Sequence, residues 1–210
     1  QGTGGGNCLQ PRDMQIINDS TVIACGEYGD VVFKSMDRGY NWIDLTLGQV
    51  WSTPNASIAF TSETVGFGTT EQGGQIGCGI VKTIDGGVSW NYVFPDSTVV
   101  FRCIRHINEN TLYAVGDTGS IVKTNDGGVS WSNDTSGTSM QLNEILFLNN
   151  KAIVVGDSGT ILMNTNISAV TGLKENITSS QDVSAFPNPF NSFTTIKYNN
   201  PDHKKHLLTI

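Results

Sequence analysis

One eight-residue pattern occurs three times in the chain, as Ser35-Met36-Asp37-Arg38-Gly39-Tyr40-Asn41-Trp42, Thr83-Ile84-Asp85-Gly86-Gly87-Val88-Ser89-Trp90 and Thr124-Asn125-Asp126-Gly127-Gly128-Val129-Ser130-Trp131. Its tryptophans are 48 and 41 residues apart. A unit of that length is one supersecondary element, and such units bury a core only by stacking on their neighbours. Inside the box the Asp carboxylate can accept hydrogen bonds from its own turn, and the Gly two positions on can adopt a positive φ. The Trp supplies a large apolar anchor whose N–H needs an acceptor. Asp37, Gly39, Trp42, Asp85, Gly87, Trp90, Asp126, Gly128 and Trp131 are thus the residues that can hold the turn of each box.

A second element precedes each box, Cys25-Gly26-Glu27-Tyr28-Gly29 in the first unit and Val115-Gly116-Asp117-Thr118-Gly119 in the third. Val155-Gly156-Asp157-Ser158-Gly159 marks a fourth unit. Between these lie short β-branched runs, such as Thr21 to Cys25, Gly79 to Thr83, Val99 to Ile104 and Lys151 to Val155, bounded by Gly, Asp or Asn. No long run has helical periodicity, so the expected class is all-β. A period near 40 with about four short strands per unit is that of β-propeller blades. The blades are expected at about 13–47, 56–96, 99–135 and 140–170.

Pairing Gly66 with Gly26 spaces the units by 40, 50 and 40 residues. The second unit then holds an insert of about eight residues, Gly68 to Ile76. The fourth unit lacks the box, because a 40-residue offset places Asn166, Ser168 and Thr171 where Asp, Gly and Trp stand elsewhere. Two readings stay open. In one, residues 1–12 close a four-bladed ring by supplying an outer strand around Cys8-Leu9-Gln10; in the other, the fourth blade is the partly formed end of an open assembly.

The chain has 210 residues, 24 of them Gly and only 15% charged, with a net charge of −7. That balance argues against nucleic acid or an anionic membrane surface as partner, since both require a basic footprint. No apolar run approaches the ~18 residues of a membrane helix. Cys8, Cys25, Cys78 and Cys103 read either as buried thiols or as two disulfides of an exported protein, with three connectivities. No Cys-x-x-Cys pair occurs, so no metal or other cofactor is expected.

The boxes resemble the Asp-box, or BNR, repeats of sialidase-type propellers. The unit Leu112 to Trp131 resembles the repeat of photosystem II assembly-factor-like propellers, and the likeness covers about residues 13 to 170. It implies a propeller in which the boxes are structural turns remote from the ligand face. After a polar stretch read as a linker, 171–184, comes Ala185-Phe186-Pro187-Asn188-Pro189-Phe190-Asn191-Ser192-Phe193-Thr194-Thr195-Ile196-Lys197-Tyr198. This resembles the start of the C-terminal sorting domain of the type IX secretion system, here over 185–210 and shorter than the family's domain. It implies export across a bacterial outer membrane, with the secretion machinery as a partner, Gln1 as a mature N-terminus, and disulfides as favoured.

Catalytic constellations are absent from the sequence. There is no Gly-x-Ser-x-Gly elbow, His-Glu-x-x-His helix or P-loop. The four arginines, Arg12, Arg38, Arg102 and Arg105, do not form the Arg-Ile-Pro motif a sialidase would carry. An inverting glycosidase needs two carboxylates roughly 6.5–9.5 Å apart; Glu27, Asp30, Asp117 and Asp157 instead recur at equivalent turns. Two features break the repeat and are the candidate binding sites. Arg102, Arg105 and His106 cluster on one strand, with Arg102 and His106 expected on one face and Arg105 opposite. The insert contributes Thr69, Thr70, Glu71 and Gln72, because insertions in repeat proteins form loops on one face. The expected function is a non-catalytic secreted or cell-surface module for a protein or glycan ligand. The alternatives are a fragment of a propeller glycoside hydrolase and a self-associating structural protein.

Overall fold

A computed structural model describes residues 10–27, 31–45, 56–70, 78–96, 98–148, 151–164, 183–186 and 195–198. The chain divides into two units, Gln1–Glu175 and Asn176–Ile210. In the first, strands follow one another in antiparallel meanders. Sheet one holds β1 (Gln10–Ile16), β2 (Val22–Glu27), β3 (Val31–Ser35) and β4 (Ile43–Asp44). Sheet two holds β5 (Ser57–Phe60), β6 (Gly66–Thr70), β7 (Cys78–Thr83) and β8 (Asn91–Asp96). Sheet three holds β9 (Phe101–His106), β10 (Leu112–Gly116), β11 (Ile121–Thr124) and β12 (Ser132–Asp134), and sheet four β13 (Leu142–Leu148), β14 (Lys151–Gly156) and β15 (Ile161–Asn164).

The first strands of successive sheets are neighbours, β1 with β5, β5 with β9 and β9 with β13. The sheets are thus blades of a β-propeller arranged along an inner row of four strands. Three apolar clusters fill the seams between blades. Ile23, Cys25 and Val32 meet Ile58, Phe60, Val81 and Trp90 between sheets one and two. Ala59, Phe67 and Ile80 meet Phe101, Ile104, Leu112, Ala114 and Val122 between two and three. Cys103, Tyr113, Val115 and Ile121 meet Leu142, Ile145, Ala152 and Val154 between three and four. A sheet buried on both faces has little room for charge, which accounts for a chain only 15% charged.

Each box closes a turn by the same bonds. The hydroxyls of Ser35, Thr83 and Thr124 donate to Asp37, Asp85 and Asp126 at 2.7–2.8 Å and accept from the Gly39, Gly87 and Gly128 N–H groups. The Asp carboxylates accept in turn from the N–H of Asn41, Ser89 and Ser130. Trp42 and Trp90 donate to the Gly39 and Gly87 carbonyls at 3.0 Å. Trp131 departs from the expectation, because its buried N–H meets no acceptor among the described residues. Trp90 packs edge-on against Phe60, and Trp131 lies against Phe67 and Phe94 of the preceding blade.

Strand pairing corrects the repeat register. Gly66 pairs with Thr83 as Val22 pairs with Ser35 and Leu112 with Thr124, so Gly66 opens its strand. The counterpart of Gly26 and Gly116 is Thr70. Gly66 is a glycine for another reason: a Cβ there would sit 2.6 Å from the Phe60 ring. Thr69 and Thr70 consequently lie buried within β6 and not in an inserted loop; Glu71 and Gln72 fall outside the described residues. Measured to the box Asp, Thr70 is 15 residues from Asp85, against 11 from Gly26 to Asp37, so the insert is about half the expected length.

Other boundaries shift as well. Gln10 to Arg12 belong to β1, where Gln10 and Pro11 pair with β2, so they do not supply an outer strand to the fourth blade; residues 1–9, including Cys8, are outside the described set, as are Asn166, Ser168 and Thr171. Sheet four has three strands among the described residues. In the second unit, β16 (Val183–Phe186) pairs antiparallel with β17 (Thr195–Tyr198). Val183 and Ser184, expected at the end of a linker, are therefore strand residues.

The disulfide expectation fails. Cys25 and Cys103 are free buried thiols, and with two of four cysteines unpaired two bridges cannot form. They belong to different seams, where each packs as a small apolar group. Cys78 is buried at the start of β7.

Candidate functional site

The inner strands carry their polar residues at matching positions. Asp13 pairs across its hairpin with Cys25, Ser57 with Thr69, Cys103 with Val115 and Glu144 with Val155, so these four occupy one site of the repeat. Each of the first three reaches the next blade's backbone. Asp13 Oδ2 accepts from the Ile58 N–H at 3.0 Å, Ser57 Oγ from the Ile104 N–H at 3.2 Å, and the Cys103 sulfur from the Ile145 N–H. A side chain one strand in thus stitches every seam at its inner edge.

Arg105 gathers these groups. Its Nη1 lies 2.8 Å from Asp13 Oδ2, 2.8 Å from Ser57 Oγ and 2.9 Å from the Ile104 carbonyl, and its Nη2 lies 3.0 Å from Glu144 Oε1. Burial works against the Arg105 charge, but Cys103, Asp13 and Glu144 more than offset it and raise its pKa. Cys103 donates to Glu144 at 2.9 Å. Burial, with Glu144 adding to it, pushes the Cys103 thiol up to about 12, and burial also raises Cys25, with Asp13 adding to it. Neither thiol is a nucleophile at neutral pH.

The Asp13–Arg105 pair separates two cavities. The first, of about 280 Å³, is polar and is lined by Arg12, Ser57, Arg102, Gln141, Asn143 and Glu144 beside that pair. The second, about 320 Å³, lies against Met14, Ile58, His106, Ile145 and Phe147. Burial, and then the neighbouring Arg105, lower the His106 pKa, so its ring is neutral near pH 7.

A repeated β-bulge builds the first cavity. The pairing slips between Pro11 and Asp13, between Leu142 and Glu144, and opposite the Val115–Gly116 step, leaving Arg12, Asn143 and Arg102 as the extra residues. A bulge re-aims one side chain out of the ladder, and all three line this cavity. Two are anchored identically: Arg102 Nε lies 2.9 Å from Asp117 Oδ1, and Asn143 Nδ2 donates to Asp157 at 2.8 Å. Asp117 and Asp157 each open a 3-10 turn at the end of the next strand.

The bulge also overturns the expected facing of the β9 cluster. It resets the alternation so that Phe101 and Ile104 enter the same core. Arg102 lines one cavity, His106 the other, and Arg105 both. Arg12, Asp13, Ser57, Asn143 and Glu144 were not singled out by sequence. Aligning the strands on Met14, Ile58, Ile104 and Ile145 would have shown them, since each is preceded by the stitching residue and, in all but the second blade, by the bulge residue before it. Among the described residues, no group of three His, Cys, Asp or Glu side chains could hold a metal ion, and no helix is long and apolar enough to cross a membrane.

No family model matches the sequence, and no curated protein does. Solved structures do resemble the fold. One described as YCF48 bound to D1 peptide is 20% identical with a TM-score of 0.59, over 83% of this chain and 57% of its own. The GH74 enzyme of Niastella koreensis is 17% identical with a TM-score of 0.56, over 73% of this chain and 28% of its own. The GH74 xyloglucanase of Xanthomonas campestris is 11% identical with a TM-score of 0.55, over 74% and 29%. This chain thus spans little more than half the length of the first and under a third of the other two, and the likeness is one of β-propeller fold.

Proposed function

We propose that this protein is a non-catalytic propeller module that binds a polypeptide segment in the polar cavity at the start of the inner strands. The observation that carries this reading is the set of bulge residues Arg12, Arg102 and Asn143, which leave the strand ladder and converge on one 280 Å³ cavity. Guanidinium and amide groups beside carboxylates suit peptide carbonyls, amides and charged side chains together. The similar YCF48 structure is described with a peptide bound, which supports a protein ligand over a glycan. Asp13 and Glu144 both face the one Arg105 guanidinium, which suits a rigid binding floor; acid catalysis instead needs a carboxyl poised to give up a proton. We place the protein outside the cell, on the Phe186-Pro187-Asn188-Pro189 motif of its second unit and that motif's likeness to a secretion signal.

Selection of a random peptide library on the full chain, followed by calorimetry of the enriched peptide, tests the reading. Arg12→Ala and Asn143→Ala are each expected to weaken binding by about tenfold, ~1.4 kcal/mol, with unchanged thermal unfolding. Enriched peptides indifferent to both changes would sink it. The GH74 likeness supports a second reading, hydrolysis of a β-glucan such as xyloglucan. Release of reducing ends that disappears in both Asp13→Asn and Glu144→Gln would put that reading in place of ours.

A further inference from the structure

The second cavity is built by the repeat. Gln15, Ala59, Arg105 and Leu146 each stand two residues beyond the stitching residue of their strand, opposite Ile23, Phe67, Tyr113 and Ile153. All four line this cavity. The first cavity is lined from the position before the stitch, by Arg12, Ala56, Arg102 and Asn143. The two cavities are therefore successive layers along the inner strands, with the Asp13–Arg105 pair as the ridge between them. The side chains of that pair are 15% and 28% exposed, so the ridge is partly open to solvent.

The layers differ in chemistry. In the second, the polar ends are already engaged. Gln15 donates to the Phe60 carbonyl at 2.9 Å and accepts from the Phe60 N–H at 2.6 Å, and Arg105 is held by Asp13 and Glu144. Much of the remaining wall is Ile58, Ala59, Ile145, Leu146 and Phe147, with the Phe147 ring 5.6 Å from that of Tyr113. A sugar hydroxyl buried against such a wall would lose its water without gaining a partner. At about 320 Å³ the space is at the lower limit of ligand pockets, which run from roughly 300 to 1,000 Å³. That suits a single large side chain.

We propose that the second cavity receives a large apolar side chain, Leu, Ile, Met or Phe, of the same polypeptide whose polar part lies in the first, a placement that rests on the peptide reading and gives that peptide a sequence. Arg12 is the extra residue of a bulge, so its layer and that of Gln15 are between two and three strand steps apart, roughly 7–10 Å. In an extended peptide residues i and i+2 point to the same side. The apolar residue accordingly stands two positions from the polar residue bound in the first layer, and the peptide between them crosses the ridge at Arg105.

Selection of a random peptide library on the full chain, followed by calorimetry of an enriched peptide and its alanine variants, tests this. Enriched peptides are expected to carry Leu, Ile, Met or Phe two positions from a polar or charged residue. Changing that apolar residue to Ala, or Leu146→Gln in the protein, should each weaken binding by about tenfold. The two changes together should weaken it little further than either alone, because both remove one contact. Met14→Gln, also on the cavity wall, is a second variant of the same design. Both protein variants should keep wild-type thermal unfolding, since Leu146 is 57% and Met14 61% exposed. Peptides that depend on Arg12 but lack the apolar residue, or whose losses simply add to those of Leu146→Gln and Met14→Gln, overturn this placement and leave the peptide reading standing. A library that enriches nothing, or only peptides indifferent to Arg12→Ala and Asn143→Ala, sinks the peptide reading and this placement with it.

Discussion

Gly128 stands at φ +83°, and a Cβ on it would lie 2.6 Å from the Phe67 ring of the preceding blade. Gly39 holds the same box position at φ +89°, but its Cβ would meet nothing nearer than Trp42 at 3.7 Å, because sheet one has no preceding blade among the described residues. The two glycines share one backbone requirement and differ in one packing requirement. Gly39→Ala is expected to cost about 1–2 kcal/mol of backbone strain, and Gly128→Ala that amount plus about 1–3 kcal/mol for displacing Phe67. Urea unfolding of both variants checks the order; equal midpoints would show that the box glycine answers only to its φ. The glycines also mark where sequence misleads. Gly66 looked like the turn glycine Gly26, yet it lies beneath an aromatic ring at the far end of its strand, a packing cause that leaves the same letter in the sequence as a turn does.

At the scale of the element, the box hairpin is held by a carboxylate in solvent. Hydrogen bonds from Ser130 and Thr124 draw the Asp126 carboxyl down to about 2 from its ordinary 3.8. A depressed folded pKa contributes stability that is fully present above pH 3.8 and is lost as the pH falls through about 2. The Ser130 amide resonance is therefore expected to titrate with a midpoint near pH 2 and to be flat over that range in Asp126→Asn; a midpoint near 4 would mean the bonds do not persist in solution. Strand number and blade period were legible because each box prints eight residues that only this hairpin requires. The bulges were not. A bulge is an extra residue in one strand of a pair, and Arg102 reads as ordinary alternation until its partner strand is known, so alternation alone places Arg102 and His106 on one face.

For the whole molecule, the seams are what cooperate. Cys25 lies in the first seam and Cys103 in the third, and burial holds both thiols unreactive, so they report on seams opening. Iodoacetamide without reductant is expected to leave them unmodified in the native protein and to alkylate both in urea. If blades separate one at a time, the two sites should react at different rates; equal rates would mean a single all-or-none unit. Rapid labelling of the native chain would contradict the burial of both thiols. The fold was readable from period alone, whereas the cavity was not, since Asp13, Ser57, Arg105 and Glu144 come from four separate repeats and converge only when the inner strands stand side by side. Each stitch reaches no further than the adjoining blade. A duplication or deletion of one whole unit in the gene would therefore disturb the joints at its two ends and, where it moves the third blade relative to the first, the Arg105–Asp13 pair that bridges them, while the stitching rule itself carries over to any blade number.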